Sequence, residues 1–422
     1  LLAHLYSARK RYLCQPIPQK YLFVSQSLAA FRSTNYRIFF LGQAVSNIGN
    51  LMNQVVVGWL IYELTQSSFL LGFVLFSREF SAFILSPFAG VWADTYNKHQ
   101  LVMGCNLVLM LSTFVLGGLV LWGWVAVWSL VLIQVVVGAT VALEVTARQA
   151  FVNELVDDPT HLSSAIALNS ALFNTARILG PTLAGWLIPL MGEGYCLVLY
   201  GAMLLFIQLT FRMMQLPPFY RPLYTPSLQE RLQDGYRYVE SQPTLRRLLL
   251  TIVLVTFLGL GYETLLPVFA KDVFGRGPEA LGYLTSAVGA GAVVGALYIS
   301  RLRNNQGLAD ALRYGWLLFA LFVVAFALTD NLYWALLWLF VAGIGRVCVY
   351  TAANTLMQSL ADTTKRARVL SFYVMLFTAG RTVGNLVWAA LSDGIGVNYA
   401  IALSGILCFI IGLWLFRALR MA

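Results

Sequence analysis

Twelve long apolar stretches constrain this chain more than any other feature of it. They lie at roughly 36–62, 69–93, 100–122, 125–147, 163–190, 194–214, 246–270, 279–300, 310–328, 332–357, 367–392 and 397–418. Each is near the length of about 20 apolar residues that carries a helix across a bilayer. None alternates apolar and polar residues as a membrane β-strand does. Lipid offers the backbone no hydrogen-bond partners, so the stretches are expected to be helices that satisfy themselves. Composition agrees: 11% of the 422 residues are charged, against about 25% in a soluble domain. The expected fold class is an all-α membrane protein.

Charge placement orients the chain. Of 28 Lys and Arg, 22 fall in the tails, in the even-numbered connections or at the span ends beside them. Lys271 and Arg276 lie in the other set of loops, and four arginines lie deep inside spans. This asymmetry places both termini in the cytoplasm. It also argues that the net charge of +10 serves membrane topology, not nucleic-acid binding.

The longest polar connection, about 215–245, separates spans six and seven. The expected organisation is a tail over 1–35, with an interfacial helix in "SQSLAAFRSTNYR", and a six-helix bundle over 36–214. A linker over 215–245 with an amphipathic helix follows, and then a second bundle over 246–422. The two halves repeat each other. Leu172-Phe173-x-x-x-Arg177-x-x-Gly180 in span five matches Leu376-Phe377-x-x-x-Arg381-x-x-Gly384 in span eleven, 204 residues later. "SSFLLGF" (67–73) matches "GPEALGY" (277–283), which sets Arg78 and Glu79 opposite Val288 and Gly289. Duplicated halves with a site between them near mid-membrane are a transporter architecture.

The loop after span two reads Gly90-x-x-x-Asp94-x-x-Asn97-Lys98-His99. It resembles the G-x-x-x-D-R-x-G-R-R motif of the major facilitator superfamily. "TARQAFVNELVDD" (146–158) and "SSAIALNSALFNTARILGPTLAGWLI" (163–188) are similar to its drug:proton antiporter-3 branch, which includes enterobactin-type siderophore exporters and macrolide efflux proteins. "LLPVFAKDVFGRGPEALGYL" and "RARVLSFYVMLF" carry the same likeness. The resemblance implies twelve helices in two pseudo-symmetric bundles, a cavity lined by spans one, four, seven and ten, and a cytoplasmic gate around Gly90, Asp94, Lys98, Glu144 and Arg148. Two features depart from the branch. Gln134 stands four residues before Gly138 where an R-x-x-Q-G pattern is expected, and Gly180-Pro181 with Gly185 meets the span-five motif only in part.

Polar side chains inside spans mark candidate functional residues, because each must face protein or water. Gln43, Asn47, Asn50 and Gln54 share one face of span one, as a cavity lining or as glue between helices. Gln134, Glu263, Arg346 and Tyr350 complete the expected cavity. Glu263 and Arg346 are expected to pair, since a lone buried charge is costly. Arg78, Arg177, Arg346 and Arg381 make mid-membrane positive, which suits an anionic substrate. Glu79 is expected to meet Arg381 across the halves, and Asp94 to meet Arg148. Glu79 and Glu263 are the proton-carrier candidates.

The three histidines show no metal spacing, and no phosphate-binding G-x-x-x-x-G-K-[ST] occurs. The expectation is no enzyme, no metal and no cofactor. The five cysteines form no Cys-x-x-Cys pair and read as small apolar residues. The opening "LLAHLYSARKRYLC" has too short an apolar run for a signal peptide. The expected function is a bacterial inner-membrane exporter of a small amphipathic or anionic molecule, working as a monomer by alternating access with proton antiport. The rival readings are a lipid or lysophospholipid flippase and a non-transporting sensor or assembly partner.

Overall fold

The computed structural model describes residues 28–152, 154–156, 158–216, 237–302, 304–362 and 366–419. Among them are helices α1 (Thr34–Thr65), α2 (Ser68–Thr95), α3 (Lys98–Leu121) and α4 (Val127–Val152). Leu162–Arg212 is one helical run broken at Gly192, whose φ of 80° suits a residue without a Cβ. Its two parts are α5 (162–191) and α6 (193–212). The second half holds α7 (Pro243–Val273), α8 (Pro278–Ile299), α9 (Asn305–Ala327), α10 (Leu332–Leu360), α11 (Arg366–Ile395) and α12 (Val397–Leu419). The described residues contain no strand. The amphipathic helix expected over 228–247 lies outside the described residues as far as 236; residues 237–241 are helical, and Pro243 begins α7.

Side-chain oxygens close several helix starts. Ser67 accepts from the Leu70 amide at 3.2 Å, Asn97 from Gln100 at 3.2 Å and Asn304 from Gly307 at 3.0 Å. Nine helical runs among the described residues are long and apolar enough to cross a membrane, the α5–α6 run being one of them. The described side chains of α12 give a shorter apolar stretch, Val397–Leu413. α1 falls outside that set because five amides crowd residues 43–54.

Among the described residues of the segment expected to form an interfacial helix, Ala29–Arg32 make a single 3-10 turn that leads directly into α1. Ala29 and Ala30 are buried, and Ser33 donates to the Leu155 carbonyl at 2.7 Å. This segment is packed on the first bundle and not laid out along a surface.

α1–α6 and α7–α12 form two six-helix bundles. Their kinship shows in the backbone. Gly138 of α4 lies against the carbonyl of Arg78 in α2, and Gly343 of α10 against the carbonyl of Val288 in α8. A Cβ at either glycine would collide with that oxygen. Arg78 and Val288 are the pair that the repeat sets opposite each other.

The end of the molecule bearing the start of α1, the end of α6 and the start of α7 is here the terminal end. The opposite end is the far end. A cluster of Phe39, Phe151, Phe211 and His99 ties α1, α4, α6 and α3 together at the terminal end. At the far end Trp122, Trp124, Trp128, Tyr333, Trp334 and Tyr399 are exposed, as residues of a bilayer's aromatic belt are.

Candidate functional site

A cavity of about 360 Å³ lies between the two bundles. Residues of α1, α2 and α5 from one bundle and α7, α8, α10 and α11 from the other line it. Leu51, Val55, Leu75, Phe173, Leu266, Leu281 and Val288 give it apolar walls. Its charged lining is Arg78, Glu79, Arg177, Glu263, Arg346 and Arg381, with Gln54, Thr264, Thr285 and Asn385 as neutral polar groups.

Local structure sets each charge. α7 is interrupted at Leu260, so Glu263 sits in the first turn of a new helical segment, Gly261–Val268. That position suits a negative charge. The interruption leaves the Phe257 carbonyl without its helical donor, and the Trp388 indole N–H supplies one at 2.8 Å. Glu263 forms an ion pair with Arg346 of α10. Glu79 accepts from Arg381 of α11 at 3.5 Å. Arg177 lies over the ring of Phe173, one helical turn away, at 4.8 Å from its centroid. Arg78 and Arg177 have no carboxylate partner among the described residues.

The hydrogen bonds and ion pairs joining the halves between described side chains lie from mid-membrane to the far end. The Tyr62 hydroxyl donates to Asp272, and Lys271 pairs with Glu63 at 2.7 Å. Asp393 of α11 accepts from the amides of Ser68 and Phe69 and the hydroxyl of Ser67, at 2.8–3.0 Å. Trp186 donates to Tyr283 at 3.0 Å, and Thr182 meets Ser286 at 2.8 Å. No substantial packing joins α4 or α5 to α10 or α11 among the described residues. The molecule is therefore closed at the far end and parted toward the terminal end.

The structure brings together Glu79 with Arg381 and Glu263 with Arg346. It separates several other expected neighbours. Of the span-one stripe, only Gln54 lines the cavity; Gln43 is buried, and Asn47 and Asn50 are half-buried outside its wall. The lining face of α1 runs through Leu51, Gln54, Val55 and Gly58 and meets the stripe at one residue. Gln134 is buried on the same face of α4 as Gly138, so it points at α2 and not at the cavity. Tyr350 meets Phe377 of α11 edge to face, centroids 5.0 Å apart, and is not among the residues lining this cavity.

At the terminal end Arg148 pairs with Glu144 at 2.7 Å, and Lys98 pairs with Glu154 at 2.5 Å. The side chain of Asp94 lies outside the described residues, so its expected bond to Arg148 does too. Gly90 has open space where a Cβ would stand. Cys105, Cys196, Cys348 and Cys408 are buried and free, while Cys14 lies outside the described residues.

Sequence reasoning missed the far-end contacts of Tyr62, Asp272, Asp393 and Glu63. One signal was available: Lys271 breaks the charge asymmetry of the loops, and it proves to be held by Glu63.

Known proteins share this architecture. A bacterial homologue of the human lysosomal transporter Spinster, solved inward-facing and unoccupied, superposes with a TM-score of 0.73 at 15% identity, over 92% of this chain and 97% of that one. The staphyloferrin A transporter of Staphylococcus aureus is 21% identical over 88% of this chain and 92% of its own length. Macrolide efflux protein A of Streptococcus pyogenes is 20% identical over 88% of this chain and 93% of its own. Residues 25–421 match the family model described as transmembrane secretion effector. The chain belongs to that family of major facilitator superfamily transporters.

Proposed function

We propose that this chain is a secondary exporter of a small amphipathic or anionic molecule, siderophore- or drug-like, in the inner membrane of a bacterium. The observation that carries the reading is the charged cavity between the bundles, with polar contacts closing one end and the helices parted toward the other. The relatives named for a siderophore and for macrolides support the substrate range. The terminal end faces the cytoplasm, as the excess of Lys and Arg there implies. Substrate enters from that side. The far-end contacts of Tyr62, Asp393 and Trp186 then break while the terminal end closes, and the cavity opens outward.

Protons flow the other way and drive the cycle. Glu79 and Glu263 are the carriers. Each is paired with an arginine of the cavity, Glu79 with Arg381 and Glu263 with Arg346. Movement of α2 against α11 opens and remakes the Glu79–Arg381 contact, so the same motion that switches access breaks and restores this ion pair. The chain works as a monomer, since each bundle finds its partner within the chain.

Reconstitution in proteoliposomes tests the reading. A proton gradient, acidic on the side of the far end, is expected to drive substrate across, and substrate is expected to draw a counterflow of protons. Substrate movement that ignores the gradient would reject proton antiport. A chain that moves lipid analogues between leaflets and no soluble molecule would be a flippase.

A further inference from the structure

The cavity's charges do not balance. Four arginines and two glutamates line it. Arg346 is taken by Glu263 and Arg381 by Glu79, which leaves Arg78 and Arg177. The contact of Arg177 with the Phe173 ring uses none of its N–H donors.

The internal repeat shows why Arg177 is left over. Its counterpart, Arg381, receives a carboxylate from Glu79 of α2. The position in α8 that corresponds to Glu79 is Gly289. A Cβ there would stand 2.6 Å from the Arg177 carbonyl, so α8 approaches α5 too closely for any side chain. The contact of α5 with α8 therefore cannot hold a protein carboxylate at this position. Arginine does not escape by losing its proton. Water screens the excess while the cavity is open, but alternating access must close it, and an unpaired buried charge is then costly. A cationic ligand would add to the excess.

We propose that Arg78 and Arg177 hold the acidic groups of the transported molecule, which carries at least two carboxylates or phosphates. This rests on the exporter reading and gives it a substrate class. One acidic group takes the place at Arg177 that Glu79 takes at Arg381; a second sits on Arg78. The volume of about 360 Å³ lies within the range of small-molecule sites.

Titration calorimetry on the full chain in lipid nanodiscs tests it, with citrate and pyrophosphate as carboxylate and phosphate probes and tetraphenylphosphonium as the cation. At least one anion is expected to bind. Arg78→Gln and Arg177→Gln should each weaken it about tenfold, or about 1.4 kcal/mol. Arg301→Gln, the same charge change at the exposed terminal end, should leave it unchanged, and Arg177→Lys should recover part of the loss. Thermal midpoints of all variants report folding separately. Failure of both anions to bind overturns the proposal, as does anion binding that survives both substitutions. Labelling of Gln54→Cys by a water-soluble reagent separates the two levels. Protection by tetraphenylphosphonium alone rejects the anion site and keeps the exporter; a Gln54→Cys that no reagent reaches rejects the cavity as well.

Discussion

Two of the seams that join the halves are related by the internal repeat yet built differently. In the seam of α5 with α8, Gly289 lets the helices touch at the Arg177 carbonyl, and Ser286 bridges Thr182 and the Ile178 carbonyl at 2.8 and 3.0 Å. Its contacts are neutral and close. In the seam of α2 with α11, Glu79 meets Arg381, and Asp393 caps the first amides of α2. Its contacts are ionic. Neutral hydroxyl and glycine contacts do not change with protonation, whereas carboxylate contacts do. We propose that the neutral seam acts as a pivot and the ionic seam as a switch.

Breaking the pivot should have the largest effect. Gly289→Leu forces a side chain into the Arg177 backbone, and overpacking of this kind costs about 3 kcal/mol. The expected result is a marked fall in thermal midpoint and in folded yield. Breaking the switch should cost less stability and more function. Arg381→Met leaves Glu79 without its partner at a cost of about 2 kcal/mol. Adding Glu79→Gln to that variant should restore most of the midpoint, measured in the same detergent, without restoring gradient-driven transport.

Asp393→Asn keeps the shape of the α2 cap but removes its charge. A loss of about 1 kcal/mol is expected, together with greater reactivity of far-end cysteine probes, because closure of that end is weakened. Trp186→Phe removes one neutral hydrogen bond from the pivot seam. About 0.5 kcal/mol and an unaltered pH profile are expected, and a shifted profile would mean that the neutral seam also senses protons.

Much of this was legible in the sequence, for identifiable reasons. Apolar length gave the spans, since lipid leaves the backbone little choice. Duplication gave the halves, and depth along a helix brought Glu79 level with Arg381, about 15 Å into the bilayer at 1.5 Å per residue. Charge economy paired Glu263 with Arg346. Rotation about the helix axis was the less legible part. Spacing put Gln43, Asn47, Asn50 and Gln54 on one face, but only packing decides which neighbour that face meets, and the cavity touches it at Gln54. The same holds for Gln134, on the face of α4 turned to α2, and for Tyr350, whose ring meets Phe377 of α11. The far-end contacts depend on helix ends from opposite halves meeting, as Tyr62 meets Asp272, and no local pattern encodes such a meeting.

The central claim is that the ionic seam couples protonation to access. The most direct measurement is the pH dependence of gradient-driven transport by Glu79→Gln in proteoliposomes, beside substrate binding by the same variant. The account predicts binding close to that of the parent chain, a flat pH profile and loss of transport against a gradient. Normal gradient-driven transport with the parent's pH profile would contradict it, leaving Glu79 and Arg381 a fixed clamp and moving the proton route to Glu263.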